Sequence, residues 1–157
     1  MSKVCVLGAR GNFVIEELKG KLQEIGVLGL DPQMVCGKDH LLAAADCAQR
    51  AFATQHHICS TLAMETMLYA SGERQIAKAA EKMSIKSPQE VALVIFDRDP
   101  QEVLTQLSLT LDDTLLEPSE EKMLRFGISQ AELASVTASK KYDLVLEHVA
   151  FASLRNK

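Results

Sequence analysis

This sequence predicts an α/β fold in which several helices cover a small mixed sheet, and three observations support that prediction. Val91-Ala92-Leu93-Val94-Ile95-Phe96 is continuously apolar, the pattern of a strand buried on both faces. Val4-Cys5-Val6-Leu7 is a second β-rich run, closed by Gly8 and Gly11. Elsewhere, apolar residues recur at helical spacing in segment after segment. Helices in that number must bury their apolar faces against the sheet. With 157 residues, a single domain over 1–157 is expected. Such a chain removes roughly 70% of its unfolded surface from water and needs no disulfide or metal staple.

The elements follow in order. Residues 4–7 read as a strand, and Gly8-Ala9-Arg10-Gly11 as a tight turn after it. That turn lacks both the dinucleotide-binding glycine spacing and the Lys-Ser/Thr of a P-loop. Residues 13–25 place Phe13, Val14, Leu18, Leu22 and Ile25 on one helical face, with Asn12 as N-cap and Gly26 as stop. Asp31-Pro32 reads as a turn and residues 33–35 as a further strand. Residues 39–52 read as a helix with Leu41, Leu42, Ala45, Ala48 and Phe52 near one side. Two more helices are expected over about 57–70 and 73–83, broken at Gly72. After the strand at 90–96, Asp99-Pro100 supplies a cap and an N1 proline for a helix through about 107. A short helix near 119–125 ends at Gly127. Ser129 caps the next, 130–136, with Glu132 placed as in a capping box. The last helix spans about 140–154.

Composition narrows the function. A formal charge of −4 argues against coating of nucleic acid but permits a local basic patch, because exposed charges are screened over about 10 Å. Aromatic residues make up 4% with no Trp, which excludes a broad base-stacking sheet. The four cysteines, 5, 36, 47 and 59, contain no Cys-x-x-Cys pair, and Cys36, Cys47 and Cys59 read as small buried hydrophobes. The N-terminal apolar run is too short for a leader or a spanning helix. A cytoplasmic protein with no membrane contact is expected. No cofactor is implied, and no catalytic group can be nominated: no Ser/His/Asp set, nucleophilic cysteine or carboxylate pair assembles.

The stretch most charged with meaning is Ser71-Gly72-Glu73-Arg74-Gln75-Ile76. Gly72 ends one helix, and Ser71 can accept from backbone N–H groups freed beyond it. Arg74 and Gln75 fall in the first turn of the next helix, where positive partial charge already collects. Most helix starts favour acids. A cation here makes a site for an anion such as phosphate. Lys78 lies one turn from Arg74. Glu65 shares a face with Ile58, Leu62 and Tyr69, so its carboxylate needs a partner: Arg74 or backbone donors of the turn. His56-His57 cannot chelate a metal as helix neighbours, and no Cys or carboxylate joins them at ligand spacing; they read as donors to phosphate or rings for a base. His40 and His148 read as incidental. The last helix is apolar around much of its circumference, through Tyr142, Leu144, Val145, Leu146, Val149, Ala150, Phe151 and Leu154, which suggests a partner for its final turns.

The run Met64-Glu65 through Leu68-Tyr69-Ala70-Ser71-Gly72-Glu73-Arg74-Gln75-Ile76-x-x-Ala79 resembles the signature of the small regulatory subunit of the KEOPS complex, the kinase-binding TPRKB family with its archaeal counterparts. Phe126-Gly127-Ile128-Ser129-x-x-Glu132-Leu133 and Leu144-Val145-Leu146-Glu147-x-Val149-Ala150 support it, so the resemblance spans most of the chain. It implies a non-catalytic α/β domain that docks on the N-lobe of the kinase-like ATPase of KEOPS and stimulates it. It implies a role in threonylcarbamoyl transfer to tRNA adenosine, and contact with the tRNA 3′ CCA end near Arg74. Gln75 and Ile76 flank that Arg; Lys78, His56 and His57 extend the tRNA-binding set. Leu146, Val149, Ala150, Phe151 and Leu154 form the partner-binding set, with Glu65, Ser71 and Gly72 as structural support. Where archaeal relatives often show a basic residue and Asn before Ile-Ala, this chain has His56-His57-Ile58-Cys59. That departure favours a second reading, a protein-only adaptor of the same ATPase without significant tRNA binding. A third reading, an enzyme using Glu65, His57 and Arg74, requires those side chains to converge. An exposed apolar end can also self-associate when its partner is missing.

Overall fold

The computed structural model describes residues 3–155, with side chains described through Phe151. Strand β1 (Val4–Arg10) leads into helix α1 (Ile15–Ile25) and strand β2 (Leu28–Leu30). Helices α2 (Lys38–Ala53), α3 (Leu62–Ser71) and α4 (Ile76–Met83) follow. Then come strand β3 (Glu90–Phe96), helix α5 (Pro100–Leu107), strand β4 (Thr110–Leu111), and helices α6 (Glu120–Phe126), α7 (Gln130–Ala134) and α8 (Lys141–Arg155). None of the helices among the described residues is long and apolar enough to cross a membrane.

The sheet order is β2-β3-β1-β4, and every pairing is antiparallel. The α/β architecture matches expectation, but the sheet is antiparallel rather than mixed. β1 and β2 do run in the same direction, as a strand-helix-strand unit requires. β3 inserts between them and bonds antiparallel to both, with Val4 opposite Phe96 and Arg10 opposite Glu90.

Side-chain alternation divides two cores across this sheet. Val6, Ala92 and Val94 face α2, α3 and α4, while Leu7, Ala9, Val91, Leu93 and Ile95 face α1 and α5. Both faces are therefore covered, and Val91 to Ile95 are wholly buried, which is why β3 shows no polar alternation. A third cluster, Cys36, Met123, Phe126, Ile128, Leu133, Leu144 and Val145, seats α6, α7 and α8.

Five local expectations change. Gly8 does not end β1. The strand runs through it, with Gly8 paired opposite Ala92, and glycine is needed because a side chain there would collide with the carbonyl of Asp112, whose N–H donates to Gly8 O at 2.7 Å. The expected turn at 8–11 is thus mostly strand, and Arg10 pairs with Asp112 and Glu90. Residues 33–35 are not a strand: Asp31 Oδ1 accepts from Gln33 N and Pro32 follows it, so Pro32–Met34 winds into a 3-10 turn while Leu28–Leu30 joins the sheet. α1 starts at Ile15, with Val14 rather than Asn12 at its N-cap. α3 starts at Leu62, capped by Thr61 Oγ1, and α4 at Ile76, so both begin later than their periodicity suggested. Gly26, Gly72 and Gly127 end α1, α3 and α6 as expected, and Ser129 with Glu132 forms the capping box.

Candidate functional site

The corner between α3 and α4 concentrates unusual chemistry. Gly72 turns the chain at φ 72°, a left-handed conformation that suits glycine. Ser71 Oγ donates to Leu68 O at 2.7 Å and accepts from Glu73 N at 3.0 Å. Ser71 and Gly72 therefore shape the corner. Gln75 is the N-cap of α4 but supplies no side-chain cap, and α4 has no acid in its first turn. The opening amides of α4 are consequently left for an outside acceptor. Arg74 stands just before the helix, not inside its first turn. It is exposed, as are Gln75 and Lys78, and Ile76 is 37% exposed. Among the described residues, neither Arg74 nor Lys78 makes an ion pair or a side-chain hydrogen bond. The corner thus presents a cation and a row of donors, which suits an anion.

Glu65 does not brace this corner. It is wholly buried and turns to the other end of α3, where its carboxylate accepts from Ile58 N at 3.0 Å and Cys59 N at 2.8 Å. It is structural support for the 57–61 segment. Burial foremost, and then the Glu65 charge, pushes the Cys59 thiol up to about 12. His57 stacks flat on Phe52, with centroids 4.0 Å apart, and its Nδ1 lies 2.8 Å from Cys59 O. His56 and His57 are exposed, but they precede α3 whereas Arg74 follows it, and the 10-residue helix between them is about 15 Å long. The tRNA-binding set named from the sequence therefore splits: Arg74, Gln75, Ile76 and Lys78 share the corner, and His56-His57 lies at the opposite end. Glu65 is spent on the backbone of Ile58 and Cys59 while Arg74 stands exposed beyond the other end of α3, so Glu65, His57 and Arg74 do not converge.

In α8 the expected partner-binding set also divides. Val149 is 1% exposed and belongs to the main core, so it does not face a partner. Leu146 is half-buried, Ala150 exposed and Phe151 59% exposed. The side chain of Leu154 lies outside the described residues. A helix packed against α2 and α3 must spend its Val145/Val149 stripe on the core.

His40 is far from incidental. Wholly buried in α2, it accepts from Cys36 N at Nδ1 (3.1 Å) and donates from Nε2 to Ala70 O (2.8 Å), which fixes the neutral tautomer. The Phe126 ring meets it edge-on, and Tyr142 Oη accepts from its backbone N–H. His40 thus ties α2, the end of α3 and α8 together. Its spacing with Ala44 and Ala48 on the apolar face was the available signal. Burial, with lesser help from Lys82 and Lys122, pushes its pKa down to about 4. The unfolded chain takes up this proton near its ordinary value of 6.5 and the folded chain does not. Stability is therefore full above that value and falls as pH drops toward about 4. Urea unfolding should show about 2 kcal/mol less stability at pH 5 than at pH 7 from this group, and His40→Gln should remove that share of the pH dependence.

Two lysines also escaped the sequence reading. Lys122 is buried and donates to Val35 O and Leu115 O, stitching two loops; burial lowers its pKa. Lys82, in the last turn of α4, reaches back to the corner: Nζ donates to Ser71 O at 2.7 Å, lies 3.8 Å from Glu73 and sits 4.0 Å above the Phe126 ring. Among the described residues, no His, Cys, Asp and Glu side chains cluster as metal ligands.

Against known families, residues 10–144 match the one described as kinase binding protein CGI-121, a match that covers the α3–α4 corner and ends inside α8. None of the curated proteins matches the chain. A match over most of the length, on a fold that displays the signature run at an exposed helix corner, decides the family: this chain belongs to the CGI-121 kinase binding proteins.

Proposed function

We propose that this chain is a non-catalytic subunit of the KEOPS tRNA threonylcarbamoyladenosine-modification complex. It binds and stimulates the kinase-like ATPase through the outer face of α8, and it helps recruit tRNA by holding the 3′ CCA end at the α3–α4 corner. The supporting observation is that corner, with its uncapped α4 amides and an exposed Arg74 that has no internal partner among the described residues. A terminal phosphodiester supplies the anion such a site suits. Membership of a kinase-binding family supports the protein partner. The reading includes a cytoplasmic, single-domain protein over 1–157, and an exposed Phe151 that favours self-association when the ATPase is missing.

Arg74→Ala should weaken tRNA binding by about 1.5–3 kcal/mol, the range for hydrogen bonds to charged groups, and leave binding to the ATPase unchanged. A gel shift comparing full tRNA with tRNA lacking its CCA measures this. Equal affinity of the unaltered protein for both RNAs overturns the tail contact. The second reading, a protein-only adaptor, draws support from His56 and His57 lying away from the corner and from the contacts that already engage His57. Normal tRNA modification by a complex carrying Arg74→Ala would favour it.

A further inference from the structure

We infer that Lys82 is the positioning residue of the α3–α4 corner: its ammonium neutralises the two negative features there, the Glu73 carboxylate and the carbonyl end of α3, that would repel an anion beside Arg74. This inference rests on the reading of the corner as an anion site and explains how such a site survives where it is.

The corner is electrostatically awkward. Two helix ends meet within five residues, and they carry opposite partial charge: α3 offers carbonyls and α4 offers amides. Glu73 adds a full negative charge next to Arg74 in the chain. Left alone, both would cancel the pull of Arg74 on a phosphate. The fold silences them. Of the last α3 carbonyls, Leu68 O accepts from Ser71 Oγ, Tyr69 O from Gly72 N, Ala70 O from His40 Nε2, and Ser71 O from Lys82 Nζ. The one charged donor among them is Lys82, placed at the outermost carbonyl, where a cation offsets the helix dipole best. The same ammonium draws Glu73 to 3.8 Å, while Arg74 has no acidic partner among the described residues.

Lys82 is held for this task. Its side chain is 19% exposed and its ammonium rests on the face of buried Phe126, which also meets His40 and His148 edge-on. Two of its three partners, Ser71 O and the Glu73 carboxylate, are thus the features it neutralises, and the third, Phe126, is the ring that fixes it. It acts on the anion through charge balance and not by touching it.

The test is tRNA-transcript binding by the full chain, at several salt concentrations, for Lys82→Met, Glu73→Gln, the double variant and Arg74→Ala, with folding followed by circular dichroism. Lys82→Met should bind about five- to tenfold more weakly, the size expected when a carboxylate a few ångströms from the anion loses its counter-charge at intermediate dielectric. Glu73→Gln should bind as tightly as the unaltered protein or more so. The double variant should recover most of that loss, because the unbalanced carboxylate is gone and only the neutral Ser71 carbonyl is left uncovered. A double variant as weak as Lys82→Met overturns the inference, since Lys82 then matters only for packing. The salt dependence gives a second readout: Arg74→Ala should lower the slope of log affinity against log salt by about one, and Lys82→Met should leave it unchanged. A lowered slope for Lys82→Met makes it a phosphate contact and also overturns the inference. Should Lys82→Met fail to fold, Glu73→Gln decides alone, and weaker binding by it is the contrary result. Insensitivity to Arg74→Ala would instead sink the tRNA reading itself, which separates the two failures.

Discussion

Val149→Asp is expected to cost about 3–5 kcal/mol of folding stability, read from the urea midpoint, because it buries a carboxylate that has no partner. Val149 is 1% exposed on the α8 stripe that packs into the main core. The companion variant is Phe151→Asp. Phe151 is 59% exposed, so stability should fall by much less than in Val149→Asp. Affinity for the kinase-like partner should nevertheless drop by tenfold or more, which is about 1.4 kcal/mol. Side by side, these two variants separate the face of α8 that holds the fold from the face assigned to a partner. Full retention of the complex by Phe151→Asp, with its fold intact, would move the docking surface off this helix end. Loss of the complex by Val149→Asp alone would carry no such meaning, since unfolding explains it.

Glu65→Ala is expected to lose about 2–4 kcal/mol, because it strips charge-assisted acceptors from two backbone donors and leaves a hole in the core. Ile58 N and Cys59 N both donate to the buried carboxylate. The 57–61 segment should then loosen from α3. Its report is Cys59, whose thiol is pushed up to about 12 by burial and by Glu65 and is 3% exposed. In the unaltered protein a thiol reagent should reach it only by global unfolding. In Glu65→Ala, labelling should accelerate well before the urea midpoint. Labelling as slow as in the unaltered protein would show that the segment is held by its apolar contacts instead. The α3–α4 corner lies at the far end of the helix, so an RNA contact there should survive in the fraction that remains folded.

Much of this fold was legible because its signals are local. A strand buried on both faces has no choice but to be apolar throughout, and 91–96 is. Asp99-Pro100, Ser129 with Glu132, and Gly26, Gly72 and Gly127 act within a turn of the residues they control, so their roles needed no tertiary context. The readings that shifted were those where a distant group intervenes. The start of α3 lies at Leu62 and not near 57, because a carboxylate later in the same helix claims the amides of 58 and 59 for a loop. Gly8 looked like a terminator but is the residue that lets Asp112 approach the strand. β4 has two residues and no pattern to read.

The candidate site divides along the same line. The sequence by itself determined the composition of the corner: a glycine break, a serine before it, and an arginine where acids are usual, in an order specific enough to indicate a family. It also determined that α8 has more apolar surface than one face can hide. Only the tertiary structure decided that Val149 is core while Phe151 is not, that the two histidines stand a helix length from Arg74, and that Lys82 turns back onto Ser71 and Glu73. The physical reason is range. Caps, turns and periodicity are settled by interactions a few residues apart, whereas burial and charge pairing depend on which surfaces meet when the chain closes on itself, and no window of sequence contains that.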